Sequence, residues 1–228
     1  MNSFRRTLPV LALAIGVGVA LAGASRIECD GVTGPDPPQL QALESPAVEP
    51  SGTIALLTDP SVIPGATLTI DFDDAAHHDP VNIRYEDFGI RFSRDDGCCI
   101  HAYHVCSCGY KTSSPPMMAC TTRGPGSPYI GNHIIMEFDR DVHVLGLTVG
   151  NDRSTSMIFT VELFDAAGDP VGTVWYTPNG NNDADDWIGV SSLVAFREAR
   201  VSHTWYGVAM CVDDVSFSTR ALITRGTR

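Results

Sequence analysis

The chain has 228 residues, Lys+Arg 15 against Asp+Glu 27, and a formal net charge of −12. That length holds one or two domains. The acidic excess excludes a nucleic-acid binder that works by neutralising phosphates, and it suits cation binding and solubility. The seven cysteines cannot all pair within one chain.

The N-terminus has a three-part layout. Arg5 and Arg6 form a positive region, Leu8 to Ala22 is apolar, and Ala22-Gly23-Ala24 is a small-x-small cleavage site. Residues 1–24 are therefore expected to be a signal peptide, with the mature protein starting at Ser25 and secreted, periplasmic or on the cell surface. A membrane anchor fits less well because the apolar run is short for a bilayer span. A twin-arginine signal fits less well because the surrounding residues do not match. Cleavage removes two positive charges and no acid, taking the net charge to −14. No second long apolar stretch follows, so no membrane span is expected after cleavage.

Residues 25–52 carry Pro35, Pro37, Pro38, Pro46 and Pro50 with little periodicity, the pattern of an extended linker. Short β-type runs follow over 53–219: Thr53–Leu57, Thr67–Phe72, Tyr85–Phe92, His133–Phe138, Val142–Val149, Met157–Phe164, Val171–Tyr176, Ala199–Trp205 and Val208–Phe217. Phe88, Ile90 and Phe92 share one parity, as do Phe159, Val161 and Leu163. Asp139-Arg140-Asp141 is expected to be a polar turn, and Ser191–Glu198 a short helix. Many short strands between Gly, Asn, Asp and Pro clusters predict an all-β sandwich or barrel. Residues 220–228 form a tail. The stretch 95–126 interrupts the pattern and holds Cys98, Cys99, Cys106, Cys108 and Cys120. It is expected to be a cross-linked loop insertion, since long structureless loops in compact domains are often functional.

The last run has a parity change. Val208, Met210 and Val212 fall on one parity, Val215 and Phe217 on the other. Strand side chains alternate with period two, so one residue is inserted, as in a β-bulge. The inserted stretch is the acidic pair Asp213-Asp214. An early run, Thr67 to Asp74, also carries adjacent acids.

This pairing of Ile70-Asp71-Phe72-Asp73 with Val212-Asp213-Asp214-Val215-Ser216-Phe217 resembles secreted jelly-roll domains. The likenesses are galactose-binding-like domains, MAM domains and bacterial exported domains of the PEP-CTERM-associated type. Between the two motifs, Met136 to Leu147, Val161 to Gly168 and Trp187-Ile188-Gly189-Val190-Ser191 follow the same order, so the resemblance covers about residues 66–218. It implies an all-β jelly-roll β-sandwich, here with a cysteine-rich loop insertion, and a structural calcium ion that ties strands together. Position 73 is Asp where relatives more often have Glu. The insertion is outside the shared pattern, and the tail has no PEP-CTERM motif.

Several candidate sites follow. Asp71, Asp73, Asp213 and Asp214 are candidate calcium ligands, because calcium takes six to eight oxygens and clustered carboxylates repel without a cation. The alternative is that they face solvent on separate strands. Asn179 to Asp186 is a second acidic loop, without EF-hand spacing. His101, His104, Cys106 and Cys108 could ligate zinc, with His77-His78 upstream. Disulfides are favoured instead, because exported cysteines oxidise. The candidates are Cys98, Cys99, Cys106, Cys108, Cys120 and Cys211, with Cys29 the odd one. Trp175, Tyr176 and Trp187, with Trp205 and Tyr206, offer faces for sugar rings. Asn151, Asp152 and Arg153, with Asn179 and Asn182, offer hydrogen bonds. The alternative is that the tryptophans are packing residues.

No catalytic residues are assigned. The chain has no Gly-x-Ser-x-Gly or His-Glu-x-x-His motif. The expectation is an exported, non-catalytic domain that binds glycans or another cell-surface component and no nucleic acid. The alternatives are a secreted glycosidase-like hydrolase using paired carboxylates, or a structural or adhesive envelope protein.

Overall fold

Alternating apolar residues place ten strands among the described residues, in chain order. They are β1 (Ile54–Leu57), β2 (Thr69–Ile70), β3 (Ile90–Ser93), β4 (His101–His104), β5 (Met117–Cys120), β6 (His133–Gly150), β7 (Phe159–Phe164), β8 (Pro170–Tyr176), β9 (Asp186–His203) and β10 (Cys211–Ser218). This is a computed structural model of the chain. It describes residues 54–63, 68–97, 99–104, 114, 116–121, 133–150, 157–178, 185–204 and 209–222. The expected signal peptide and linker, Cys29 and residues 223–228 lie outside the described residues.

β6 and β9 set the architecture. Each is 18 residues long, and they pair antiparallel along most of their length. Their register shifts between Glu137 and Val142 and again by Val144. Strands that pass from one layer of a sandwich to the other do so at such irregularities. Before the shift, β6 pairs with β3 on one side and with the second half of β9 on the other; β9 then pairs with β7, and β7 with β8. After the shift, β6 lies between β10 and the first half of β9, with β1 beyond β9 and β2 and β5 along β10. β4 completes that edge.

Both halves feed one core. Ile134, Met136, Val161, Leu163 and Val201 from the first layer cluster with Leu145, Leu147, Ile188, Val190 and Val215 from the second. Phe138 packs against Phe196 and Phe217 at centroid distances of 5.8 and 5.1 Å. The fold is thus the all-β sandwich that the strand pattern and the resemblance implied.

Some elements differ from expectation. Ser191–Glu198 is not a helix but part of β9, where pairing of Phe196 with Val142 and of Ser191 with Val144 overrides local propensity. Asp139-Arg140-Asp141 is not a turn between two strands but lies within β6. A strand corner exposes polar residues just as a turn does, so composition does not separate the two. Tyr85–Phe92 is split: Glu86–Phe88 form a 3-10 turn closed by Gly89 at φ 88°, and β3 starts after it. β2 is short because Phe72 takes a left-handed conformation, φ 59°. Its ring is fully buried against Tyr85 and Phe92, both at 5.4 Å, packing that offsets the backbone cost. Part of the cysteine-rich segment is sheet, since β4 and β5 fall within 95–126 and join β10.

Candidate functional site

The site begins with the bulge in β10. Asp213 pairs with Thr148, and Ser216 pairs with Gly146. Three steps along β10 thus oppose two along β6, the one-residue insertion inferred from the parity change. Asp214 is the residue that absorbs it, at φ 48°, a conformation Asp tolerates better than most. At the bulge Asp213 is buried, only 1% exposed, and Asp214 is left partly exposed.

Ser114 stands between the two carboxylates. Its hydroxyl oxygen is 3.1 Å from Asp213 Oδ2 and 2.7 Å from Asp214 Oδ1. Asp213 Oδ1 accepts from the Asp214 backbone N–H at 2.9 Å. Asp73 approaches from the turn after β2, and its Oδ1 accepts from Met117 N at 2.9 Å. Burial, then Asp214, then the charge of Asp73 push the Asp213 carboxyl up to about 8. Burial and the neighbouring charges thus favour the protonated form of Asp213. The hydrogen count agrees. A serine hydroxyl carries one hydrogen, so it donates to only one of two ionised carboxylates. A protonated Asp213 can donate to Ser114 while Ser114 donates to Asp214.

These groups are hard oxygen donors, the chemistry of calcium rather than of zinc or copper. Among the described residues, no three His, Cys, Asp or Glu side chains are grouped to hold a metal as they stand; at the bulge, the Ser114 hydroxyl occupies the space between two acids. Asp71 is not drawn in with them. Its Oδ1 accepts from Asp73 N at 3.2 Å within the turn, and the side chain is exposed. The neighbouring Asp74 is engaged by Tyr85 Oη at 2.5 Å and Arg84 Nε at 3.2 Å. The bulge thus brings Asp213 and Asp214 together about Ser114, with Asp73 near enough for its charge to act on Asp213. Ser114 is invisible to sequence reasoning, being one serine with no periodic context.

The other candidates separate. Cys120 and Cys211 are directly opposed on β5 and β10 and form a disulfide, with Cα atoms 4.2 Å apart and 91 residues between them in sequence. They lie with Tyr103 and Met118 in a second small buried cluster. Cys99 is described and half-buried; Cys98, Cys106 and Cys108 lie outside the described residues. His104 N donates to His77 Nδ1 at 3.0 Å, and the His77 and His78 rings stack at 3.7 Å beside Tyr103. These histidines pack as an aromatic group. Burial, then His78 and His104, hold the His77 imidazole below its ordinary value.

Trp187 is half-buried and lies across two glycines on β9 and β6. A Cβ at Gly189 would meet its Cη2 at 2.2 Å, and one at Gly146 would meet its Cζ2 at 2.8 Å. Gly146 and Gly189 are register partners, so together they form the slot for the ring. Trp187 pairs with Thr148, which pairs with Asp213, so the indole and the acidic bulge stand in one row of the same face. Tyr176 is held by its own hydroxyl, which donates to Asp186 Oδ1 at 2.7 Å; burial and Asp186 raise its phenol. Trp175 is 38% exposed and stands in the other layer, in a row with Thr160, Ser202 and His133. The aromatic set is thus divided between layers. Asn151, Asp152, Arg153, Trp205 and Tyr206 lie outside the described residues.

Two clefts flank the 3-10 turn Glu86–Phe88. One, of about 580 Å³, is lined by Leu68, Asp87, Phe88, Arg140, Phe217 and Arg220 among others. The second, of about 550 Å³, is lined by Glu86, Arg91, Glu137, Phe138 and Asp139 with Gly89 and Ile90. The sequence pattern missed the first because it placed Phe88 on the inner parity with Ile90 and Phe92. Gly89 breaks that parity, and Phe88 is 49% exposed.

These features define an all-β sandwich module whose early and last strands meet at a bulged acidic pair. No family model matches the chain, and no curated protein matches it. Among solved structures, the K2 cleaved adhesin domain of Lys-gingipain is 16% identical, with 66% of this chain and 97% of that one covered and a TM-score of 0.43. A DUF4465 family protein from Bacteroides caccae is 11% identical, with 67% and 99% covered and a TM-score of 0.41. TmCBM61 in complex with β-1,4-galactotriose is 12% identical, with 60% and 94% covered and a TM-score of 0.30. All three TM-scores are below 0.5, so none of these likenesses bears on function. No helix among the described residues is long and apolar enough to cross a membrane.

Proposed function

We propose that the chain is an exported, non-catalytic binding module for glycans or another cell-surface component, with its closing strand fixed by a structural calcium ion. The observation that carries the calcium is Asp213, a carboxyl 1% exposed beside a second carboxyl, with one serine hydroxyl between them. Such a group keeps a proton or takes a cation. A hard divalent ion would replace the proton and the Ser114 bridge, with Asp73, Asp213 and Asp214 as charged ligands.

The same burial counts against a hydrolase working through this pair. A glycosidase needs both carboxyls to reach the sugar, and Asp213 does not reach the surface. Export is supported by the Cys120–Cys211 disulfide, a bond that persists in oxidising compartments, and by the layout of residues 1–24. The test has two arms. A thermal melt with calcium or chelator tests the ion, and equal melting temperatures would remove it. Glycan-array binding followed by product analysis tests the function, and release of new reducing ends would make the protein a hydrolase.

A further inference from the structure

The larger cleft beside the 3-10 turn has the composition of a ligand site, and it holds a guanidinium, Arg220, that no carboxylate among the described residues pairs with. The chain carries a net charge of −12, yet this cleft is lined by Arg140 and Arg220 against the single acid Asp87. The neighbouring cleft is lined by Glu86, Glu137 and Asp139 against the single cation Arg91, and Arg91 is itself paired with Glu86. The two are similar in size and adjacent, so the contrast lies in charge. Both volumes fall within the range of about 300–1,000 Å³ usual for small-ligand sites.

The walls are preset. Gly89 passes under the Asp139–Arg140 pair so closely that a Cβ would lie 2.5 Å from Asp139 Oδ1 and 2.7 Å from Arg140 Nη2. Asp139 N donates to Gly89 O at 3.0 Å. The Asp139 carboxylate takes Arg140 Nε and Nη2 at 2.5 and 2.9 Å, which fixes the guanidinium plane and neutralises its charge. Arg197 from β9 holds the same corner through Asp141 Oδ1 and Asp139 O, both at 2.6 Å. Arg220 is exposed, and among the described residues no carboxylate pairs with it. It is the uncompensated cation of the cleft. Phe88, 49% exposed, offers an apolar ring, and Phe217 and Leu68 pack from the core side. Asp87, Arg140 and Thr219 supply hydrogen-bonding groups around it.

We propose that this cleft binds an acidic saccharide, a uronic-acid residue whose carboxylate pairs with Arg220, whose ring lies on Phe88 and whose hydroxyls bond Asp87 and Arg140. An apolar face, ring hydroxyls and one carboxylate on a single small body match an aromatic ring, a fixed donor–acceptor pair and one free guanidinium. A guanidinium is suited to a carboxylate because its fork of N–H groups matches the two oxygens. The proposal rests on the glycan-binding function above and gives it a place and a charge. The tryptophans then serve packing at Trp187 and a separate face at Trp175.

The experiment is a calorimetric titration of the purified protein with galacturonate, glucuronate and mannuronate trisaccharides and with the methyl ester of each. At least one acid should bind tenfold or more tightly than its ester, and its affinity should fall as salt is raised. Arg220→Gln and Phe88→Ala, both at exposed positions, should each weaken it about tenfold, the scale of one charge-assisted hydrogen bond. Glu137→Gln, in the acidic cleft, should leave it unchanged. Equal binding of acid and ester, or a preference for the acid that survives both cleft substitutions, would overturn the site while leaving a glycan-binding function standing. No binding of any acid or ester would overturn the site, and an additional failure with a neutral glycan array would overturn the wider function too.

Discussion

Asp213 makes stability depend on pH in a direction opposite to most carboxylates. Its folded value is raised from 3.8 to about 8, by burial first and by Asp214 next. The unfolded chain ionises it near the ordinary value, while the folded protein holds the proton. Between those two values the unfolded state therefore binds fewer protons than the folded one, and stability falls as pH rises. Between about pH 5 and pH 8.5 this amounts to roughly 4 kcal/mol, at 1.36 kcal/mol per pH unit up to the folded value. For a domain of this size that is a drop in melting temperature on the order of 10 °C. The group is 1% exposed, so solvent does not screen the effect. Calcium at a hundred times its dissociation constant would return about 2.7 kcal/mol at the upper end, where no proton competes. The assay is a set of thermal melts of wild type and Asp213→Asn across this pH range, in chelator and in calcium. Asparagine keeps the shape and can still donate to Ser114, so the variant should lose the slope that wild type shows in chelator. A variant with the same slope as wild type, or a wild type that is flat in chelator, would refute the reasoning.

Three further outcomes are expected. Calcium should raise the melting temperature more than magnesium, which demands a tighter octahedron; Asp73→Asn and Asp214→Asn should weaken the response, and Asp185→Asn should not, all read from melts with calcium and with chelator. Replacing Cys120 and Cys211 by alanine together should cost about 4–5 kcal/mol in the chain-entropy account, given the 91-residue separation, measured by denaturant unfolding of the oxidised wild type against the double variant. Gly189→Ala should displace the Trp187 indole, since the new Cβ would lie 2.2 Å from Cη2; overpacking of this kind costs about 1–3 kcal/mol, and a changed tryptophan emission spectrum alongside the lower stability would report it.

The strands were legible where one face is buried and the other wet. β7 shows it plainly, with Phe159, Val161 and Leu163 inward and Thr160, Glu162 and Phe164 outward. The bulge was legible for the same reason: burial fixes parity, so a change of parity between Val212 and Val215 has few explanations. The layer crossing was not legible. At Asp139-Arg140-Asp141 and at Leu193-Val194 the chain stays extended while its side chains turn outward, and local composition is the same as in a turn or a short helix. The acidic site was half legible. Asp213 and Asp214 announced themselves by adjacency, but Asp71 satisfies its own turn, and Ser114 arrives from 99 residues away. The Cys120–Cys211 bond and the Gly146–Gly189 slot depend on register between strands distant in sequence, which no local pattern carries.

The two 18-residue strands have a bearing on how the protein opens. In a sandwich built from separate sheets, one sheet can loosen and exchange its amides while the other stays closed. Here β6 and β9 belong to both layers, so a backbone amide at Ile134 and one at Leu147 are released by the same event. Native-state hydrogen exchange should show residues 133–138 and 144–149 with matching opening free energies and one shared denaturant dependence, a single cooperative unit rather than two. The short edge strands β1 and β2 hang on that unit by four and two register pairs and should exchange first. The cleft walls at Asp139 and Arg140 are part of the continuous strand, so they should close and open only with the whole molecule, and a ligand there meets a surface already in its bound shape.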